Sequence, residues 1–126
     1  MQTNVVTLNS ASQQYDDIWK TVNCADYTTA VVKLDGIWDG PVTFWGDNEQ
    51  VNSVELAMQD ISSTNWTTAA ISEAGSSPSV ERQIFRVPVA GLTRIGFYGD
   101  IYAEVPNLFT GSVTITVTLI SDSNAR

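Results

Sequence analysis

The sequence predicts an all-β protein, an antiparallel β-sandwich of jelly-roll or immunoglobulin-like type. Three features predict it. Apolar residues recur with period two over most of the chain, helical periodicity is nearly missing, and the alternating runs are short and separated by clusters of Gly, Pro, Asn and Ser. Strands this short, with no helix between them, pair antiparallel in two packed sheets or a flattened barrel.

Taken in order, Val5, Val6 and Leu8 suggest a first strand, followed by the polar stretch Asn9 to Gln14 and the acid-flanked aromatics of Tyr15-Asp16-Asp17-Ile18-Trp19. Residues 1–25 therefore read either as an N-terminal arm that gains order by lying on something or as an edge strand of the same sandwich. The sandwich domain is expected over 26–122, with a short polar tail at 123–126. Ala30, Val32 and Leu34 alternate with Val31, Lys33 and Asp35, and Gly36 is expected to end that run. Val42 and Phe44 point inward against Thr43 and Trp45, and the turn residues Asp35-Gly36 and Asp39-Gly40 predict a hairpin joining the two runs. Val54, Leu56 and Met58 form a further alternating run, and Trp66 to Ile71 another. Phe85, Val87 and Val89 follow, with Pro88 assigning them to an edge or a strand end because proline cannot donate to a ladder. Ile95, Phe97 and Ile101 continue through breaks at Gly96 and Gly99. The clearest strand comes last: Val113, Ile115, Val117 and Leu119 share one face, and Ser112, Thr114, Thr116 and Thr118 the other.

Composition narrows the function. Six Lys and Arg against 14 Asp and Glu leave a net charge of −8 over 126 residues. Phosphate backbones and anionic membranes both call for a basic surface, so neither nucleic acid nor a membrane is expected as partner. There is no histidine, which excludes an imidazole base, a Ser-His-Asp triad and a His-ligated metal within this chain. The lone Cys24 excludes an internal disulfide and reads as a small core residue. Met1-Gln2-Thr3-Asn4 carries no basic, apolar leader pattern, and the apolar runs are too short to cross a bilayer as a helix. Asp35, Asp39, Asp47 and Glu49 cluster around the expected hairpin. They raise the alternatives of a two-carboxylate hydrolase or a calcium site, but turns favour Asp for local hydrogen bonding in any case. No enzymatic activity and no cofactor are expected.

Aromatic residues are the better candidates. Trp45 lies out of phase with Val42 and Phe44, and Tyr98 and Tyr102 are out of phase with Ile95, Phe97 and Ile101, so all three are expected to face away from the core. Large rings turned outward typically anchor an interface. With Tyr15 and Trp19 of the N-terminal segment, they form the candidate interface set.

The segment Leu34-Asp35-Gly36-Ile37-Trp38-Asp39-Gly40-Pro41-Val42-Thr43-Phe44-Trp45-Gly46 resembles one found in small β-sandwich proteins of tailed-phage virions, in which a Gly-x-Trp-x-Gly turn leads into a Val-Thr-Phe strand. Phe85-Arg86-Val87 with Ala90-Gly91-Leu92 and then Arg94-Ile95 is similar to a second motif of that family, and Gly111-Ser112-Val113-Thr114-Ile115 to its closing strand. The three motifs fall in the same order across residues 28–120. Two departures stand out: the family usually has a polar residue where Trp45 stands, and a tryptophan seven or eight residues past the glycine, whereas the stretch Asp47 to Val54 of this chain has none, Val51 or Val54 taking its place.

The resemblance implies a virion structural protein, foremost a capsid decoration or cement protein. Such a protein is made in the host cytoplasm and carried on the outer surface of the head. It binds across major capsid subunits, often as a homo-oligomer, with a trimer favoured. A tail or baseplate accessory protein is the nearest alternative. A carbohydrate-binding module, which would stack sugars on exposed Trp and Tyr, is the alternative outside that class.

Overall fold

The computed structural model describes residues 1–10, 18–39, 42–48, 54–56, 58–60, 66–67, 83–99 and 109–121. The strands among them are β1 (Gln2–Asn9), β2 (Trp19–Asn23), β3 (Thr29–Asp39), β4 (Thr43–Asp47), β5 (Val54–Glu55), β6 (Met58–Asp60), β7 (Trp66–Thr67), β8 (Gln83–Pro88), β9 (Arg94–Tyr98) and β10 (Thr110–Ile120). One sheet runs β1-β10-β3-β8-β6-β7 and the other β2-β9-β4-β5, with every neighbouring pair antiparallel.

The pairing is nested. β1 pairs with β10, β2 with β9, β3 with β8 and β4 with β5. This is one long hairpin rolled up so that alternate strand pairs fall into alternate sheets, closed by the contacts β10·β3 and β9·β4. Of the two sandwich types expected, the order is that of a jelly roll, with β6 and β7 added at one edge of the larger sheet.

Rolling corrects one expectation. β3 and β4 do not form a hairpin, because β3 lies between β10 and β8 in the larger sheet and β4 lies between β9 and β5 in the smaller. The chain changes sheets between the end of β3 at Asp39 and the start of β4 at Thr43. Nor does Gly36 end its strand. It sits inside β3 opposite Val113, at φ +148°, and a Cβ there would lie 2.5 Å from the Ser112 carbonyl oxygen. The glycine lets β10 approach closely, and β3 runs on to Asp39. Pro88 ends β8, where its missing N–H breaks no further ladder bond. The N-terminal segment supplies edge strands to both sheets, β1 to the larger and β2 to the smaller. The single run expected over Val54, Leu56 and Met58 is divided between two strands in different sheets, β5 in the smaller and β6 in the larger; Trp66 begins β7, and residues 68–71 and Ile101 lie outside the described residues.

The core is what the alternation dictates. Ala30, Val32, Leu34 and Trp38 from β3 and Val113, Ile115, Val117 and Leu119 from β10 are buried against Phe44, Ile95 and Phe97 of the smaller sheet. Phe44 spans the layers: its ring meets Phe97 edge-on at 5.0 Å and Phe85 of the opposite sheet at 5.9 Å. Each such edge-to-face pair adds about 0.5–1.5 kcal/mol to the burial itself. Among the described residues, the buried donors Asn4 Nδ2 and Trp38 Nε1 have no hydrogen-bond partner.

Candidate functional site

The outward-pointing positions of the smaller sheet follow from its registers. Phe97 and Ile95 of β9 face the core, so Arg94, Gly96 and Tyr98 face out. Their neighbours form three cross-strand rows: Trp19, Tyr98 and Thr43; Thr21, Gly96 and Trp45; Asn23, Arg94 and Asp47. Three of the five expected interface aromatics, Trp19, Trp45 and Tyr98, thus meet on one face, all of them half-buried. Tyr15 and Tyr102 lie outside the described residues.

Gly96 sits at the centre of this face. Having no side chain, it leaves room for the Trp19 ring, whose Cζ2 and Cη2 atoms would stand 3.0 and 3.2 Å from a Cβ built on it. The Trp19 ring also packs against Tyr98, with centroids 5.7 Å apart and planes inclined at 59°. Trp45 flanks Gly96 from the other strand. Its Nε1–H donates to Thr43 Oγ1 at 2.8 Å, and the Thr43 hydroxyl donates in turn to the Tyr98 carbonyl at 3.3 Å. One threonine therefore fixes the Trp45 ring and ties it to the strand that carries Tyr98. Thr21, Trp45, Arg94 and Gly96 border a shallow depression beside Trp19 that is too small to hold a water molecule.

One end of the face is charged and self-compensated. Arg94 makes a two-pronged contact with Asp47, Nε to Oδ1 at 3.2 Å and a second guanidinium nitrogen to Oδ2 at 2.6 Å. The hydrogen bonds and the charge of Asp47 raise the Arg94 pKa further above its ordinary value. This pair escapes a reading of sequence alone, because Asp47 looks like a turn carboxylate and Arg94 like the start of a strand. Its signal was parity: Arg94 shares the outward phase of Tyr98. Gly96, expected as a break, is instead the position on which the aromatic arrangement depends.

The other candidates resolve differently. Asp35 and Asp39 belong to β3 in the larger sheet, whereas Asp47 belongs to β4 in the smaller and is engaged by Arg94. The hairpin that would have gathered these carboxylates does not form, and Glu49 lies outside the described residues. No group of three metal-ligating side chains occurs among the described residues. Cys24 is buried, and its thiol lies 3.7 Å from the Leu92 carbonyl oxygen. Burial, and secondarily the charge of Asp47, push its pKa up to about 11, which keeps it protonated and a poor nucleophile.

The site is thus a half-buried aromatic surface with a neutralised ion pair at one end. Chemically it can adhere: it offers apolar area at fixed geometry and little ordering cost. No protein-family model matches the chain, and no curated protein matches it. Among solved structures, the crystal structure of SPBc2 prophage-derived protein YomS is similar, with a TM-score of 0.63 at 12% identity over 96% of each chain. At that identity the likeness concerns the fold, an all-β architecture shared over nearly the whole of both chains.

Proposed function

We propose that this chain is a non-enzymatic structural component of a tailed-phage particle, foremost a head decoration or cement protein. In this reading it adheres to the major capsid protein through the outer face of its four-stranded sheet. The observation that carries the reading is the convergence of Trp19, Trp45 and Tyr98 around Gly96. Half-buried rings held by packing and by a hydrogen bond lose little entropy on binding and supply most of the energy of a protein interface. Support of a different kind comes from the three motifs that resemble those of virion sandwich proteins and from the structural similarity to a prophage-derived protein. The net charge of −8 is also suited to a surface that stands clear of packaged nucleic acid.

The test is co-purification with assembled particles and the copy number found there. Hundreds of copies per particle support a shell component, six or twelve a tail or baseplate role, and none overturns the virion reading.

One observation favours a second reading. Aromatics gathered on one sheet face are what a carbohydrate-binding module uses to stack sugars. The 59° inclination between Trp19 and Tyr98 gives no flat platform for a sugar chain, which ranks this reading second. Retention of a defined glycan on an array, lost in Trp45→Ala, would reverse the order.

A further inference from the structure

We propose that β1 is a self-association edge, along which a second copy of this chain adds its own β1 antiparallel about a two-fold axis near Val5. The inference is independent of the aromatic face, which belongs to the other sheet.

Sheet edges are ordinarily protected by shortness, charge or proline, since their unpaired peptide groups template further pairing. Among the described residues, three of the four edges are protected. β5 and β7 are two residues long, and β2 has five residues and carries Lys20. β1 is different. It runs for eight residues, Gln-Thr-Asn-Val-Val-Thr-Leu-Asn, with no charge and no proline in a chain of net charge −8.

Which peptide groups face the open side follows from one hydrogen bond. Ser10 N–H donates to the Gly111 carbonyl at 3.1 Å, continuing the register that sets Asn9 against Ser112. Hydrogen-bonded pairs alternate along an antiparallel ladder. Leu8, Val6 and Asn4 therefore bond to β10 as Ser10 does, and Thr3, Val5 and Thr7 direct their N–H and C=O groups away from it. The side chains of these three residues are exposed on the outer face of the sheet, Val5 to 62%.

That spacing complements itself. With a two-fold axis at Val5, Val5 meets Val5 of the second copy and Thr3 meets Thr7. All of these become hydrogen-bonded pairs, and the paired side chains lie on the same side of the joined sheet. Thr–Thr cross-strand pairs are among the favourable ones, β-branched valines suit the pleated surface, and no like charges are opposed. A contact of this kind is isologous and closes at two copies, unlike the threefold arrangement that the family resemblance implies. Each chain has only one long edge among its described residues, so the joined sheet does not extend into a fibre.

The test is the mass of the purified full chain in solution, with no other protein present, by light scattering or sedimentation. Twice the single-chain mass is expected for the wild type. Val5→Lys, which opposes two cations at the axis, and Val5→Pro, which removes an outward N–H and leaves the bonds to β10 intact, are each expected to shift it to the single-chain mass with an unchanged circular dichroism spectrum. A second measurement does not depend on how those variants fold. Paired Cα atoms about 5.5 Å apart lie within disulfide range, so Val5→Cys is expected to cross-link two copies under copper-phenanthroline oxidation. Thr3→Cys, whose mate is Thr7, is expected not to. A wild type that is monomeric up to its solubility limit, a dimer indifferent to both Val5→Lys and Val5→Pro, or cross-linking by Thr3→Cys as efficient as by Val5→Cys would each overturn the proposal. None of these outcomes bears on particle attachment through the aromatic face.

Discussion

Trp19 lies across Gly96 so closely that a methyl group at that glycine would stand 3.0 Å from the edge of the indole ring. The two residues are on adjacent strands, β2 and β9, and the bare backbone of one forms the seat of the other. Gly96→Ala should therefore displace the ring. The loss of backbone entropy in the unfolded chain offsets part of the crowding, so stability should stay within about 1 kcal/mol of the wild type. The expected signature is a changed near-ultraviolet circular dichroism from the Trp19–Tyr98 pair with a nearly unchanged unfolding midpoint. A large loss of stability would mean that Gly96 is needed for the fold itself.

Thr43 is the fastening of Trp45. Thr43→Val keeps the shape and removes both the acceptor of Trp45 Nε1–H and the donor to the Tyr98 carbonyl. Because Trp45 is only half-buried, water can replace the lost acceptor, and the cost should be about 1 kcal/mol. Trp45 emission should shift to the red and its anisotropy should fall. An unchanged emission spectrum would show that packing alone holds the ring.

Phe44 is the core counterpart of these surface changes. Its ring touches Phe97 in its own sheet and Phe85 in the other, so Phe44→Ala removes a contact that joins the layers. The expected loss is about 3–5 kcal/mol in urea unfolding, a large share of the roughly 5–15 kcal/mol that ordinarily holds a domain folded.

Cys24 reports on integrity. With its pKa raised from 9.0 to about 11, the folded thiol carries roughly a hundredfold less thiolate near neutral pH than an ordinary one, and it reacts correspondingly slowly. Labelling should be slow in buffer and fast in denaturant. The sign of the linkage is set by the raised value. Protonated Cys24 favours the folded state, so its contribution is complete below pH 9 and is lost as the pH rises towards 11, by no more than about 2–3 kcal/mol. Cys24→Ala should flatten that alkaline decline. An equally steep decline would trace it to other groups.

How much of this was legible beforehand depends on what the local pattern encodes. Period two encodes which face a residue takes, and the parity of Val113 to Leu119, of Phe44 against Trp45 and of Phe97 against Tyr98 is the parity observed. Partner choice is not local. Asp35-Gly36 and Asp39-Gly40 carry the same turn signal, yet Asp35 and Gly36 lie inside β3 and the chain leaves that strand only after Asp39, for the other sheet; only rolling the nested pairs into two sheets decides this. Gln2 lies opposite Leu119, a pairing for which no neighbouring residue carries a signal. Glycines misled in the same way. Gly36 and Gly96 read as interruptions, yet each lies within a strand because something passes close above it, a β10 carbonyl in one case and an indole in the other. The aromatic face was half legible: outward phase identified Trp45 and Tyr98, whereas their meeting with Trp19 required the β2·β9 register.

The most direct measurement is the retention of the purified chain on assembled phage particles, wild type against Trp45→Ala, set beside the unfolding midpoint of each. If the outer face of the smaller sheet is the adhesive surface, Trp45→Ala should weaken retention by more than about 2 kcal/mol, as the loss of an interface anchor does, and by clearly more than it lowers stability. Retention unchanged by the substitution, or lost only in proportion to stability, would contradict the account.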